Sequence, residues 1–298
     1  MKSVARYSKK LGIEYFKQIW YNISKEVRRV IIKRLSKEEE HKRNLEQLAA
    51  YRPLDDDFMR ELFRDNLPLA QYVLRVITGI DDLVLTREET QADMKRLVGG
   101  RSICLDVFGE DSKGRKFDLE VQRADSGARP KRARYHSSAM DVEFLQKNQE
   151  FEELPITYTI FITENDVFNA GEALYPIERI NTAIGKPFGD DEHIIYVNGA
   201  YVGDSEIGRL MHDFRCSNAD EMFCDLLAEK TRYYKENPKG VSGMCKLMED
   251  RINERNIEIA VDMLTDGGYS NEQIAKISKL TLSEIEEIAK QLQTSKSQ

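Results

Sequence analysis

The sequence predicts an α/β fold, a mixed sheet core in the order α-β-β-β-α-β flanked by helices, with helical N- and C-terminal extensions. Three observations carry this. Residues 101–123, RSICLDVFGEDSKGRKFDLEVQR, hold two runs of period-2 alternation around a turn. TYTIFIT at 157–163 and HIIYVN at 193–198 are short apolar runs rich in β-branched and aromatic residues. Between and around them, apolar residues recur at helical spacing. Three segments follow: 1–50, a basic amphipathic helical arm; 51–250, the main domain; and 251–298, a helical tail.

Taken in order, the arm carries Leu11, Tyr15, Phe16, Ile19, Trp20, Ile23, Val27, Val30 and Ile31 at helical intervals. DDDFMRELFRDNLPLAQYVLRVI, from Asp55, reads as a helix capped by an Asp, with Phe58, Leu62, Phe63, Leu67, Leu69 and Val73 as a buried stripe that Pro68 breaks in two. Asp82–Glu88 is the expected first strand. In the hairpin, Gly114 suits the left-handed position of a three-residue loop. If Asp111 pairs with Arg115, Asp106 falls opposite Glu120 and Cys104 opposite Gln122, while Leu105, Val107, Leu119 and Val121 share the core face. Gly127 and Pro130 mark a loop, and Lys131–Gln149 is the expected crossover helix, with Tyr135, Met140, Phe144 and Leu145 inward. A right-handed crossover makes 157–163 parallel to a hairpin strand. Asp220–Asn237 and Val241–Leu264 read as charge-rich buttressing helices. The tail, SNEQIAKISKLTLSEIEEIAKQL, shows two capped helices with helix-turn-helix-like spacing, Ile274, Ile277, Ile285, Ile288 and Leu292 inward. Glu284, Glu286 and Glu287 suit the second helix to packing or dimerisation at least as well as to a major groove.

Composition bounds the function. At 298 residues, with 41% hydrophobic and 33% charged residues, the chain can bury a sizeable core. No apolar run approaches the roughly 18 residues a membrane span needs, and no signal-peptide core opens the chain, so a cytoplasmic protein with no integral membrane segment is expected. Four cysteines without a CxxC pair point to buried thiols rather than a disulfide framework or zinc ribbon. The formal charge of -7 conceals an asymmetry: residues 1–50 hold 13 Lys and Arg against 6 Glu, a net of +7. That arm suits phosphate, a membrane surface or a partner, and equally packing against its own chain.

The facing acids are the chemical signal. Like charges directly opposite each other destabilise a strand pair unless something offsets them. A hard divalent cation does so, since Mg2+ is held by one or two carboxylates plus water and phosphate. The alternative is an edge hairpin whose acids are solvated. Just beyond, Arg123, Arg129, Lys131, Arg132 and Arg134 are opposed only by Asp125. Cations at a helix start oppose its macrodipole, so a bound polyanion such as a phosphodiester backbone explains them better than solvent does.

The spacing Asp106, thirteen residues, Glu120-Val121-Gln122 resembles the Asp...Glu-x-Lys signature of PD-(D/E)XK nucleases. With AYRPLDDDFMRELFRDN, RADSGARPKRARYHS, FITENDV, HIIYVNG and GRLMHDFRC, it is similar to the PD-(D/E)XK nuclease family of transposases, related to the recombination-promoting nucleases, over roughly Leu45 to Arg251. The resemblance implies a restriction-endonuclease-like core over 51–250. It also implies a magnesium-dependent (or Mn2+-dependent) DNA endonuclease, a hydrolase of phosphodiesters. Asp106 and Glu120, with the Val121 carbonyl, would be the metal ligands; Gln122 would position the water; Arg123, Lys131, Arg132 and Arg134 would bind DNA; and Glu61 is a candidate accessory acid. Leu105 stands where the superfamily has Pro, and Gln122 where Lys is usual. A neutral amide lacks the charge of an ammonium but still orients a water. Gln122 therefore keeps open a second reading, a catalytically inactive DNA- or partner-binding protein on the nuclease scaffold. A homo-oligomer is compatible with either.

Overall fold

The computed structural model describes residues 38–39, 41–93, 104–123 and 125–295. Most of the expected basic arm thus lies outside the described residues; residues 41–50 are helical. Ala49–Asn237 form one compact unit, and the chain from Pro238 belongs to a second.

In the first unit, α1 (Asp56–Phe63) and α2 (Leu67–Thr78) divide where Pro68 predicts, with the proline in the first turn of α2, where its missing N–H is harmless. Asp55 does precede α1, but its carboxylate takes the backbone N–H of Arg52 at 2.7 Å rather than one from the helix. The first strand is β1 (Leu85–Asp93), not Asp82–Glu88. Asp82 instead forms ion pairs with Lys113 and Arg115 of the hairpin loop, and the strand begins where Gln71 Oε1 accepts the Leu85 N–H.

Strands β2 (Cys104–Asp111) and β3 (Lys116–Gln122) form the hairpin. Gly114 is left-handed at φ 78°, and Asp111 N–H donates to Arg115 C=O at 3.1 Å. The register Val107↔Leu119, Phe108↔Asp118 is the one the loop predicts. Both hairpin faces are buried, so the acid-bearing face is covered by protein rather than solvated. On one face Gly109 admits Leu74 of α2, since a Cβ there would lie 3.5 Å from it. On the other lies α3 (Pro130–Phe144), whose Phe144 stacks on Phe108 with ring centres 5.4 Å apart.

That helix ends five residues before the expected Gln149, because the Gln149 side chain accepts the Gln146 N–H and competes with the helical bond. Its buried residues are Ala133, His136, Ser137 and Met140, and Tyr135, expected inward, is exposed. An apolar stripe misplaces the inner face here because the surface beneath it is acidic.

The crossover delivers β4 (Thr157–Thr163) parallel to β3, and β8 (Glu192–Asn198) runs parallel to β4. Between them the chain adds β5 (Leu174–Ile177), antiparallel to β8, and a small ribbon of β6 (Ile180–Asn181) and β7 (Lys186–Pro187), elements too short to leave a periodic signal. The sheet order is β1-β2-β3-β4-β8-β5. The strands central to it are buried on both faces, as parallel strands under helices are.

Helices α4 (Glu206–Arg215) and α5 (Asp225–Glu236) complete the unit. Asp213, fully buried, accepts the N–H groups of Phe223 and Cys224 and so fixes the start of α5. Lys235 gathers the carbonyls of Ala49, Tyr51 and Ser217 at 2.9, 2.6 and 2.5 Å.

The second unit contains α6 (Pro238–Asp266), one helix longer at both ends than Val241–Leu264, then α7 (Asn271–Ser278) and α8 (Leu282–Ser295). Ser270 and Gln273 close a capping box at α7. Ala260, Ile274 and Ile285 form its core, whereas Ile277, expected inward, is 54% exposed. No helix among the described residues is long and apolar enough to cross a membrane.

Removing the ammonium takes a charged donor from three carbonyls, two of them half-buried. Lys235→Ala is therefore expected to lower unfolding free energy by about 1 to 2 kcal/mol, read as a drop in the urea midpoint with an unchanged slope.

Candidate active site

The site is built where β2 and β3 part. Their ladder runs to Val107↔Leu119; at the next position the side chains take over. Asp106 N–H donates to Glu120 Oε1 at 3.0 Å, and Val121 N–H donates to Asp106 Oδ2 at 3.4 Å. Each acid thus accepts a backbone N–H of the other's strand, which draws both carboxyl groups into one gap. Because N–H and C=O of a strand residue share an edge, the Val121 carbonyl lies on the Asp106 side.

Two further groups join them from residues that the sequence-based candidates omit. Asp118 and His136 are 0% and 3% exposed, beside Glu120 at 1% and Asp106 at 8%. His136 Nδ1 lies 3.1 Å from Asp118 Oδ2 and 3.8 Å from Glu120 Oε1. The alternation that places Asp106 and Glu120 on one face places Asp118 there too, and His136 follows Arg132 by one helical turn, so that if one faces the acids both do. Asp118 Oδ1 is buried with no hydrogen-bond partner among the described residues.

Arginines partly offset this charge. Arg60 Nη2 reaches Asp106 Oδ1 at 3.2 Å. Arg132 Nη2 reaches Glu120 Oε2 at 3.1 Å, its Nε donates to His136 Nε2 at 3.3 Å, and its Nη1 donates to Gln122 Oε1 at 3.4 Å. The Gln122 amide donates weakly to Glu120 Oε2 at 3.4 Å, and Gly127 packs so closely on Gln122 Oε1 that a Cβ there would overlap it.

The remaining candidates sit apart from the acids. Arg123 pairs with Asp55 at 2.9 Å and Glu164 at 3.2 Å. Lys131 and Arg134 are exposed on the first turns of α3. Glu61 pairs with Arg64 at 2.8 Å, and it is the adjacent Arg60 that reaches Asp106. On the same helix, Asp56 is close enough to Asp106 for that charge, after desolvation, to raise its carboxyl.

The electrostatics reflect a surplus of negative charge. Glu120 is pushed up to about 8 by burial and then by Asp118 and Asp106. Burial and Asp106 hold the Asp118 carboxyl well above the usual range, and burial lowers the His136 imidazole. Three clustered carboxyl groups and a partnerless buried oxygen are a donor set that fits a cation. Asp106, Glu120 and the Val121 carbonyl offer the oxygen ligands a hard divalent ion prefers.

Residues 74–203 match the family described as PD-(D/E)XK nuclease family transposase. The matched span runs from the end of α2 past β8 and includes Asp106, Glu120, Gln122 and His136. The six-stranded mixed sheet with its flanking helices is consistent with a restriction-endonuclease-like fold. No curated protein and no solved structure matches the chain.

An acid whose folded-state pKa is raised keeps its proton where the unfolded chain releases it, so its contribution to stability is lost as pH rises toward the folded value. Glu120 and Asp118 act in this sense; His136, lowered below its ordinary 6.5, acts oppositely but only below that pH. In chelator, the urea midpoint is therefore expected to fall between pH 6.5 and 8, and Glu120→Gln to flatten that fall.

Proposed function

We propose that this chain is a metal-dependent DNA endonuclease of the transposase-associated PD-(D/E)XK type. The observation that carries the reading is the pairing of Asp106 with Glu120, each carboxylate bonded to the N–H of the other's strand, inside the span that matches the nuclease family. Asp106 and Glu120, with the Val121 carbonyl, would hold Mg2+ (or Mn2+). Bound there, the ion supplies an activated water and neutralises charge on the scissile phosphate.

The chain's own residues do the rest. Gln122, backed by Gly127, orients the attacking water through its amide. Lys131 and Arg134, exposed at the start of α3, with Arg123 after β3 and Arg132 beside Glu120, hold the sugar-phosphate backbone. Arg132 serves two anions, since the same guanidinium that pairs with Glu120 is 42% exposed and can turn to a phosphate. On this reading the protein works in the cytoplasm on DNA, as a hydrolase in recombination or transposition.

A second reading has its own support. Gln122 in place of Lys, and a guanidinium already neutralising Glu120, suit a nuclease scaffold that binds DNA or a partner without cutting.

Supercoiled-plasmid nicking separates the two. Nicking should require Mg2+ or Mn2+, stop in chelator, and fall by more than about 100-fold in Asp106→Ala and Glu120→Ala, beyond the range of an outer-shell partner. DNA binding without metal-dependent nicking would favour the silent scaffold, and equal nicking by wild type and both variants would remove the site assignment. In filter binding, Arg134→Ala should weaken affinity evenly across sequences and reduce the slope of log K against log salt by about 1; an unchanged slope would take Arg134 off the DNA path.

A further inference from the structure

Asp118, Glu120 and His136 differ from the proposed magnesium ligands in one chemical respect: one donor is an imidazole nitrogen. All three are at least 97% buried, and their candidate ligand atoms lie within 4.8 Å of one another. Ligand atoms each about 2.1 Å from a common ion stand about 3.0 to 3.4 Å apart; the His136 Nδ1 separations of 3.1 and 3.8 Å need only a small adjustment to meet that. Asp118 Oδ1, buried with no hydrogen-bond partner among the described residues, is an independent sign that the donors present do not satisfy this cluster.

We propose that Asp118, Glu120 and His136 form a second cation site, deeper than the Asp106–Glu120 pair and sharing Glu120 with it, that takes a first-row transition-metal dication in preference to Mg2+. The preference follows from donor type: an imidazole nitrogen suits Fe2+, Ni2+, Cu2+ and Zn2+, whereas Mg2+ favours an all-oxygen shell and keeps its water; Mn2+, the weakest binder of the transition-metal series, is the paramagnetic probe for the site. The site does not depend on whether the protein cleaves DNA.

Arg132 is the stand-in for that ion. A guanidinium can only donate, so its Nε contact assigns the lone pair of His136 to Nε2 and the proton to Nδ1, which donates to Asp118. A ring that coordinates through Nδ1 carries its proton on Nε2, directly against the Arg132 N–H. Metal and Arg132 therefore exclude one another, and occupation of the deep site frees Arg132 from Glu120 and His136 together.

Pulsed electron paramagnetic resonance of Mn2+ added to the full-length protein tests this without using activity. The expected result is a 14N modulation from one imidazole that persists in a tenfold excess of Mg2+, vanishes in His136→Gln with at least about tenfold weaker Mn2+ binding, and accompanies tighter binding in Arg132→Gln. An unvariegated wild-type spectrum suffices to overturn the site: bound Mn2+ with oxygen ligands only, or 14N modulation erased by Mg2+, ends the proposal. So does unchanged affinity in His136→Gln or weakened affinity in Arg132→Gln. Plasmid nicking bears on neither outcome, so nitrogen coupling without nicking would sink the nuclease reading alone, and nicking with an all-oxygen Mn2+ spectrum would sink this one alone.

Discussion

Past the Val107–Leu119 pair, β2 and β3 are joined by side chain to backbone rather than backbone to backbone. Asp106 and Glu120 each accept a backbone N–H of the other's strand where the ladder has ended. An unpaired buried N–H carries a penalty of about 1 to 3 kcal/mol, so the acids cannot be swapped for apolar residues without exposing the backbone defect beneath them. The same bonds pull two acidic groups into a gap largely closed to water. Structural need and chemical potential reside in the same atoms, and the rest of the domain is arranged around the resulting electrostatic imbalance.

That imbalance explains the placement of the arginines. Arg60 comes from α1 to Asp106 and Arg132 from α3 to Glu120, so the two helices flanking the hairpin are tethered to it by charge as well as by packing. Asp118 is left to His136, a neutral partner, and remains under-satisfied. Breaking a buried pair by removing one member is far more damaging than replacing both. The arginines therefore look expendable on the surface and are not.

Much of this was legible in the chain. Gly114 and strict alternation determine the hairpin register, and Pro68 locates the break between α1 and α2, because both are local backbone constraints. The parallel β4 follows from the crossover length. Other features have no local signature. LTREETQAD forms β1 through pairing along β2, not through an apolar pattern of its own. His136 turns inward, and Tyr135 outward, because the covered surface is acidic, which a stripe of apolar residues cannot report. Ile277 is exposed for a related reason, since Ile274 and Ile285 already fill the space against Ala260.

The strand order has a bearing on which parts of the domain are free to diverge. The acids sit on β2 and β3, while the short ribbon of β6 and β7 follows β5, an edge strand separated from β3 by β4 and β8. Lengthening, trimming or exchanging the ribbon at 180–187 leaves the carboxylates of β2 and β3 where they are. Novelty in what the protein touches can accumulate there independently of the chemistry, much as an interchangeable tool head leaves its handle alone.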